Sequence, residues 1–272
     1  MIYFSLEMEI WIDFMGNLNL DIPFFFEYLF NPPDILLYGV WLTISIAFVA
    51  QTLGVIGGLF VALLRMSQRW WVRELGKLYI WIFRGVPLLV QLVIVYTGVA
   101  AAGLYKYPDI VIGPFTLSGP MQAAILALSL HEAAYMAEIF RAAISSIDRG
   151  QFDAARAVGM SPITAMRWII LPQAIRIVIP PLGNEFTLMI KGTSLLAIIG
   201  IRELFGTIQQ LNAATFRTFE LFVIAAIWYL ILITIMGFIQ KHVEAYYSKH
   251  ELPAEQNFKK KYKSRNLLSN NR

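Results

Sequence analysis

Residues 151–172 read QFDAARAVGMSPITAMRWIILP, a polar stretch that stands between strongly apolar segments and decides how the chain is organised. Its first part, residues 153–158 (DAARAV), is rich in alanine and favours an α-helix. Gly159 follows directly, and glycine commonly occupies the position just past the end of a helix. The first half of the stretch is therefore predicted to be a short helix that ends before Gly159.

A second helix is predicted to start two residues later. Ser161 and Pro162 stand in the order of an N-cap residue and the first residue of a helix. The helix is expected to cover residues 163–171, where Pro172 should stop or kink it. Two short amphipathic helices joined by a turn form a hairpin, which is a candidate docking surface for a soluble partner.

The composition of the whole chain indicates a membrane protein. Hydrophobic residues make up 58% of the 272 residues, charged residues only 15%, and the mean hydropathy is +0.61. Several uncharged runs are long enough to cross a bilayer, and a soluble protein could hardly bury four or five of them. The sequence contains no cysteine, which excludes disulfide bonds and thiolate metal sites. The predicted fold class is therefore an all-α membrane protein.

About five transmembrane helices are predicted, with the N-terminus outside and the C-terminus in the cytoplasm. Their ranges are 36–64, 78–105, 121–144, 177–190 (followed over 195–217 by a partly inserted segment and an outer-surface helix) and 221–240. Arg65, Arg69, Arg73 and Lys77 follow the first span, and cytoplasmic loops carry an excess of such residues. The same rule places the arginine-flanked hairpin in the cytoplasm.

Local signals inside the first two spans predict packing and a kink. Gly54 and Gly58 form a GxxxG pair that permits a close helix approach, and packing within one subunit is favoured over a contact between subunits. Pro87 is predicted to kink the second span near its start. Arg84 stands close enough to the basic end of that span for its side chain to snorkel there.

Three regions are expected along the chain. Residues 1–34 contain six acidic residues and neither Lys nor Arg, and are interpreted as an extracytoplasmic or interfacial segment. Residues 35–247 form the transmembrane domain, which includes the hairpin loop of residues 148–172. Residues 248–272 are rich in lysine and are predicted to be a disordered cytoplasmic tail.

The hairpin also carries a family resemblance. Its pattern of Asp153-Ala154-Ala155, Gly159 and Ile169-x-Leu171-Pro172 resembles the loop that marks permease subunits of ABC importers. The stretches FRGVPLLVQL, AAYMAEIFRAAISSI, LPQAIRIVIPPLGNEF and KGTSLLAIIGIREL are similar to the polar amino-acid branch, of the histidine, glutamine and arginine permease type. The resemblance covers residues 37–247. One departure is Asp153, where the family usually has Glu.

The resemblance implies a type I ABC importer permease-like fold with a cytoplasmic coupling-helix hairpin. It implies that ABC ATPase subunits, a second permease subunit (identical or different) and an extracytoplasmic solute-binding protein are partners. The chain would be a transport subunit and not an enzyme. Contact with the ATPase is implied for the residues that match the motif: Asp153, Ala154, Ala155, Gly159, Leu171 and Pro172.

The sequence itself agrees that nucleotide chemistry lies elsewhere. No G-x-x-x-x-G-K-[ST] occurs, so ATP and Mg²⁺ are expected on the partner ATPase and no cofactor on this chain. His131-Glu132 begins like a zinc-protease motif, but the fifth position is Tyr135, so no metal site is predicted. Membrane lipid is an expected partner, and nucleic acid is not.

Ionisable and strongly polar residues inside spans are candidates for the substrate path, because charge at membrane depth is costly without a function. The candidates are Glu132, Glu138, Arg141, Asn184, Glu185 and Lys191. Glu138 and Arg141 are three residues apart on one helix and are predicted to pair with each other. A zwitterionic amino acid needs partners of both signs, and His131-Glu132 suggests the narrower hypothesis of a substrate with a cationic side chain.

Two alternatives to an ATP-driven importer of polar amino acids stay open. An ion-coupled carrier or channel would use the buried acidic residues to relay protons or cations. A non-transporting membrane scaffold would leave Glu138 and Lys191 at membrane depth without a purpose.

Overall fold

The computed structural model describes residues 21–113 and 115–248, and helices dominate them. The first half contains α1 (Ile22–Phe30), α2 (Asp34–Arg65), α3 (Trp70–Gly85), α4 (Leu88–Ala101), β1 (Ile110–Ile112) and β2 (Phe115–Leu117). The second half contains α5 (Gly119–Ser145), α6 (Arg149–Ala157), α7 (Pro162–Ile199), α8 (Leu204–Thr215) and α9 (Thr218–Ser248). The predicted basic tail lies outside the described residues, except for Ser248, as does most of the predicted acidic N-terminal segment.

The length and composition of the helices allow four or five membrane crossings. Helices α2, α5, α7 and α9 are each long and apolar enough to span a bilayer. Helices α3 and α4 qualify together as a fifth, broken span. The five predicted spans are each found among these elements.

Helices α2 and α5 form the centre of the bundle and run parallel to each other. A side chain on Gly54 would collide with Glu132, and one on Gly58 would collide with Met136. The two glycines therefore permit a close contact within one subunit, which confirms the interpretation of the GxxxG pair. A core cluster that includes Ala47, Ala50, Ala124 and other buried residues continues this contact toward α4, α7 and α9.

The second span is broken more sharply than a kink. Helices α3 and α4 meet at an angle of 104° around Pro87, and the preceding Val86 has the extended backbone that a residue before proline prefers. The side-chain amide of Gln91 donates hydrogen bonds to the carbonyls of Phe83 (2.8 Å) and Val86 (2.7 Å) and closes the exposed helix end. Pro87 was correctly identified as the position of a break, which is a 104° bend within the predicted span of residues 78–105.

Of the two outcomes predicted at Pro172, a stop of the second hairpin helix was wrong, and a kink stays a prediction. Helix α7 continues from Pro162 to Ile199 without interruption, so the hairpin's second helix is the first turns of a span predicted to begin only at residue 177. A π-helical turn covers Met166–Ile170, and there the amide of Leu171 bonds to the carbonyl of Met166, five residues back. Because Pro172 directly follows this shifted pattern, its missing N–H is tolerated. One turn of the helix is also held by the side-chain amide of Gln173, which donates a hydrogen bond to the Ile169 carbonyl at 2.7 Å.

The bundle has two chemically different ends. At the end that we call the hairpin end, Arg65 at the end of α2 lies beside Glu138 near the end of α5, and α6 follows. At the opposite end, called the far end, Gly39 of α2 packs against Thr207 of α8 and the backbone of Glu203. Helix α8 follows a 3₁₀ turn over Thr193–Ile199 and a left-handed Gly200 with φ of 84°. The helical pattern is therefore broken between α7 and α8.

Candidate functional site

The first hairpin helix is capped at both ends by its own sequence. The carboxylate of Asp148 accepts a hydrogen bond from the amide of Gly150 at 2.7 Å. At the other end Gly159 has φ of 78°, a left-handed conformation that glycine adopts at low cost. The amides of Gly159 and Met160 bond to the carbonyls of Arg156 and Ala155, the pattern of a Schellman motif. The helix end predicted at Gly159 is confirmed.

The start of the second hairpin helix is also set by residues close to it in the sequence. The hydroxyl of Ser161 accepts a hydrogen bond from the amide of Thr164 at 3.2 Å, and Pro162 occupies the first helical position. The first hairpin helix ends at Ala157 and the second begins at Pro162. The turn between them consists of Val158, Gly159, Met160 and Ser161. A short, rigid turn therefore presents the tip of the hairpin.

Three large apolar side chains of the hairpin are exposed. Val158 is 76% exposed, Ile163 82% and Trp168 67%. Asp153, Ala154 and Gly159 are exposed as well, whereas Ala155 is buried beneath them and only 1% exposed. Leu171 is half-buried and Pro172 exposed, both beyond the tip in α7. Three of the six motif residues thus lie on the exposed face of the hairpin, while Ala155 lies on the face turned to the bundle.

The buried face of the hairpin is joined to the span helices. Ile144 and Ile147 at the end of α5, and Ile170 and Ala174 in α7, form one apolar cluster, against which Phe152 of α6 packs. All four cluster members are at least 92% buried. Because packed interiors transmit displacement, a force on α6 would move α5 and α7 together.

A second constellation lies inside the bundle around Glu132, which is 2% exposed. The amide of Gln51 in α2 donates a hydrogen bond to the Glu132 carboxylate at 2.8 Å. Within the described residues, Gln51 Oε1 and His131 Nδ1 are buried without a hydrogen-bond partner. Buried polar atoms are normally paired, so the unpartnered oxygen of Gln51, on the amide that bonds to Glu132, indicates a place for water or a polar ligand.

Both signs of charge meet near Glu132. The guanidinium carbon of Arg84 lies 5.0 Å from the centre of the Tyr135 ring, and Arg84 is within electrostatic range of Glu185. Glu185 is in turn within electrostatic range of Glu132. Arg84 lies in the last turn of α3, just before the bend, near Tyr135 of α5 and Glu185 of α7, and its snorkelling toward the basic end stays a prediction. Gln51, Arg84 and Tyr135 were absent from the predicted set.

The other predicted path residues lie apart from this constellation. Glu138 pairs with Arg141 (2.8 Å), as predicted, and also with Arg65 of α2 (3.3 Å), which links the ends of two helices. Asn184 and Lys191 are exposed on α7, seven residues apart and hence on one face. The structure thus brings Glu132 and Glu185 together with Arg84, and places the remaining four elsewhere.

Among residues 21–113 and 115–248, no group of three or more His, Asp or Glu side chains could hold a metal ion. The chemistry that the constellation offers is therefore charge pairing and hydrogen bonding.

Comparisons with known proteins agree on one kind of protein. The family model for the binding-protein-dependent transport system inner membrane component matches residues 54–249. The probable amino-acid permease protein YxeN of Bacillus subtilis is 38% identical over 223 residues, 82% of this chain and 96% of that protein. The arginine transport system permease protein ArgU of Corynebacterium glutamicum is 38% identical over 212 residues, 76% of this chain and 66% of that protein. The crystal structure of an amino acid ABC transporter with histidines superposes with a TM-score of 0.69 at 35% identity, covering 78% of this chain and 94% of that one.

Proposed function

The chain belongs to the family of binding-protein-dependent transport system inner membrane components, and from this premise we propose that it is the permease subunit of an ATP-driven ABC importer that moves polar amino acids into the cell. Permeases of this family are membrane proteins that work with ATPase and binding-protein partners. The carrying observation in this chain is the capped hairpin, which exposes Val158 and Ile163 on one side and packs on the span helices with the other.

The hairpin is proposed as the point where the partner ATPase pushes on this chain. Asp153, Ala154 and Gly159 would contact the ATPase directly, because they lie on the exposed face. Ala155 would act from beneath, since its small side chain lets α6 lie close to the bundle. Leu171 and Pro172 would act through α7, the helix that carries the displacement into the membrane. ATP and Mg²⁺ belong to the ATPase in this proposal, and this chain binds no cofactor.

The hairpin end is proposed to face the cytoplasm. Arg65, Arg69 and Arg73 lie at or just beyond the end of α2, and Arg149 and Arg156 lie in α6. More basic residues therefore lie between spans at this end than at the far end, where Lys106, Arg202 and Arg217 are found. An odd number of crossings then puts the N-terminus outside and the C-terminus in the cytoplasm, with residues 1–34 on the side of the solute-binding protein.

The substrate path is proposed to pass the constellation of Glu132, Glu185 and Arg84. An amino acid carries an ammonium and a carboxylate, and this is where the described bundle offers both signs of charge near unpartnered polar atoms. Two acidic residues against one arginine leave an excess of negative charge, which supports a cationic side chain on the substrate. The arginine transport of the relative ArgU and the histidines in the similar crystal structure support the same choice.

Asn184 and Lys191 are proposed to face a second permease subunit or a water-filled path between two subunits. An exposed lysine on a span helix is costly against lipid, and Lys191 therefore needs polar surroundings that another subunit can supply. That subunit would be an identical or a different permease chain. The ion pairs of Glu138 with Arg65 and Arg141 are proposed as a brace between α2 and α5 and not as part of the path.

Co-purification followed by an ATPase assay tests the function. The chain is expressed with its genomic neighbours, isolated with them, and reconstituted with the solute-binding protein. We expect that a panel of amino acids stimulates ATP hydrolysis selectively, with basic amino acids the strongest. Flux of amino acid through the chain alone, driven by an ion gradient, would instead support the carrier alternative, for which the matched family gives no support.

A further inference from the structure

The long helix α7 belongs to two different parts of the hydrophobic core. Near the hairpin end, Ala174, Val178 and the partly buried Leu182 pack in or against the smaller cluster, which also holds the second half of α5. From the partly buried Phe186 and the buried Met189 onward, α7 packs instead in the larger cluster of α2, α4 and α9. The helix therefore passes from one packed body to the other between residues 182 and 186.

The backbone of α7 is weak next to this boundary. Pro180 and Pro181 lie inside the helix, and each removes the hydrogen bond that its amide would make to the carbonyl four residues earlier. Gly183 follows two residues later, and glycine inside a helix lowers its stability. A helix bends most easily where its hydrogen-bond pattern is interrupted. The stretch from residue 180 to residue 183 is therefore the place where α7 can bend.

The side chain of Gln240 in α9 lies on this stretch. Its amide donates one hydrogen bond to the carbonyl of Pro180 at 3.2 Å and another to the carboxylate of Glu244, one turn along α9, at 2.7 Å. A side chain on Gly183 would collide with the amide group of Gln240. The missing side chain of Gly183 therefore lets Gln240 lie directly against the backbone of α7.

Gln240 connects the two packed bodies. Helix α9 belongs to the larger cluster through Leu221, Ile224 and Leu232. Pro180 lies in the part of α7 that packs in the smaller cluster, so its bond to Gln240 crosses the boundary. A single neutral hydrogen bond contributes little beside two packed clusters, and it can be broken and remade as they move.

We propose that residues 180–183 of α7 are a hinge and that Gln240 is the latch that sets its angle. This inference rests on the proposed function, because the ATPase would displace the half of α7 before the hinge. Glu185 of the proposed substrate path lies two residues beyond the hinge, so a bend changes its position relative to Glu132 and Arg84. Gln240 is a positioning residue, since it acts on the path only through α7.

The hinge can be tested on the chain alone, without partners or ATP. The sequence contains no cysteine, so Ile175→Cys and Leu188→Cys place nitroxide labels at two exposed positions on either side of the hinge. In a straight helix the two positions are roughly 20 Å apart. Pulsed electron paramagnetic resonance in nanodiscs gives the distribution of this distance, with labelled chain diluted by unlabelled chain so that only distances within one chain are counted.

The width of the distance distribution decides the proposal. Gln240→Leu keeps the size of the side chain but removes the donor, and we expect it to broaden the distribution about twofold. The double substitution Pro180→Ala and Pro181→Ala restores two amide donors and should narrow the distribution, even when it is combined with Gln240→Leu. Equal widths in all of these chains would show that α7 is a rigid rod and would overturn the proposal.

Two control variants change the same residue types away from α7. Gln122→Leu removes a side-chain amide that donates to the carbonyl of Leu117 at 3.0 Å. Pro120→Ala changes a proline in the first turn of α5, where a helix has no partner for the amide. Both variants should leave the width of the distribution unchanged.

The role of the hinge in transport is tested in the complex with the partner subunits. Substrate-stimulated ATP hydrolysis by the unsubstituted complex is measured first, and its absence would count against the proposed function, while the distance distribution still decides the hinge. The double substitution of Pro180 and Pro181 should lower uptake about fivefold without lowering the unfolding temperature, because it stiffens α7. Gln240→Leu should lower the amount of amino acid moved per ATP by a similar factor. A normal ratio of uptake to hydrolysis in both variants would overturn the coupling role of the hinge.

Discussion

The two ends of the helix bundle differ in whether the chain itself supplies contact partners for its side chains. At the far end a buried carboxylate, Glu203, is fully surrounded by donors from this chain: the amide of Gly206 (2.8 Å), the hydroxyl of Tyr229 (2.9 Å) and the hydroxyl of Thr43 (3.1 Å). These three donors belong to α8, α9 and α2, so one side chain ties three helices together. The described residues of the chain therefore supply the hydrogen bonds of this buried carboxylate themselves.

At the hairpin end, by contrast, the chain does not cover all of its own apolar side chains. Its helices are capped and its inner face is packed, yet Val158, Ile163 and Trp168 remain open to solvent. Exposed apolar groups gathered on a polar hairpin indicate an interaction surface. We therefore expect the far end, where buried polar groups bond within the chain, to contribute mainly to stability, and the hairpin end, where apolar side chains are uncovered, to contribute mainly to function. Variants at the far end should lose folding, and variants at the hairpin end should lose transport.

The largest expected effect is loss of folding stability from Glu203→Ala. The substitution leaves the hydroxyls of Thr43 and Tyr229 and the amide of Gly206 buried without an acceptor, at about 1–3 kcal/mol for each unsatisfied group. We expect a loss of about 3 kcal/mol or more in the free energy of unfolding, and little recoverable protein. Thermal unfolding in detergent measures this.

Glu203→Gln is the matched control for that variant, since it keeps an acceptor oxygen and the volume. Burial raises the pKa of the Glu203 carboxyl above its ordinary value, although the hydrogen bond from Gly206 acts against this shift. The stability contribution of the group is then fully present below the ordinary pKa and is lost as pH rises through the raised one. Glu203→Gln should remain folded and show a flatter pH dependence of stability. Equal instability of the Ala and Gln variants would show that the bonds to Glu203 matter little.

The second effect is loss of transport without loss of folding, from Gly159→Asp at the hairpin end. Aspartate tolerates the left-handed backbone of this position, and no atom lies within 4 Å of the added carbon. A charge on the docking tip should leave the chain inserted but lower ATP-driven uptake at least tenfold while ATP hydrolysis continues. Uptake and hydrolysis are measured together in reconstituted vesicles.

Gly159→Asn separates the charge from the backbone conformation. Asparagine accepts φ of 78° as readily as aspartate and adds no charge, so its uptake should stay close to that of the unchanged chain. If the Asp variant takes up substrate normally, the docking role of the hairpin tip is refuted. If both variants unfold, the left-handed turn and not the contact surface is what the position requires.

The features that could be predicted from the sequence are those that depend on residues close together in the chain. The hairpin depends on Gly159, Ser161 and Pro162, whose caps use neighbours within five residues, and both helix ends are found where the sequence places them. The helix stop predicted at Pro172 was wrong because the effect of a proline depends on the hydrogen-bond pattern around it. The preceding π turn at Met166–Ile170 is not encoded by a recognisable local signal.

The contacts of the interior and of the far end could not be predicted for a different reason. Gln51 and Glu132 are 81 residues apart, and Thr43 and Glu203 are 160 apart. Their pairing depends on how helices assemble, which residue spacing along one helix does not specify. The contacts of Arg84 with Tyr135 and Glu185 were not predicted either, because only a kink was expected where the chain bends by 104°. The pair of Glu138 and Arg141, three residues apart on one helix, was predictable for the opposite reason.

A smaller effect is expected from Glu138→Gln, which tests whether the hairpin end is braced from within. The substitution weakens the ion pairs with Arg65 and Arg141, both partly exposed, so the loss in the free energy of unfolding should be about 1 kcal/mol. Uptake and its selectivity should stay nearly unchanged, as measured in the same vesicles. A strong change in selectivity would return Glu138 to the substrate path.

The smallest and most specific effect is expected from Glu132→Gln, between the two ends. The amide oxygen of the new side chain can still accept the hydrogen bond from Gln51, so the packing of α2 on α5 should be retained. What disappears is one negative charge beside Glu185 and Arg84. If that charge favours a cationic side chain, the uptake of arginine relative to glutamine should fall by about fivefold, the equivalent of roughly 1 kcal/mol.

Glu138→Gln is the matched control, because it removes the same charge from the same helix at a site where two arginines already neutralise it. A selectivity that shifts equally in both variants reports only the total charge of the bundle, whereas a shift confined to Glu132→Gln locates the path beside α5. An unchanged arginine-to-glutamine ratio in Glu132→Gln would end the idea that Glu132 selects the substrate.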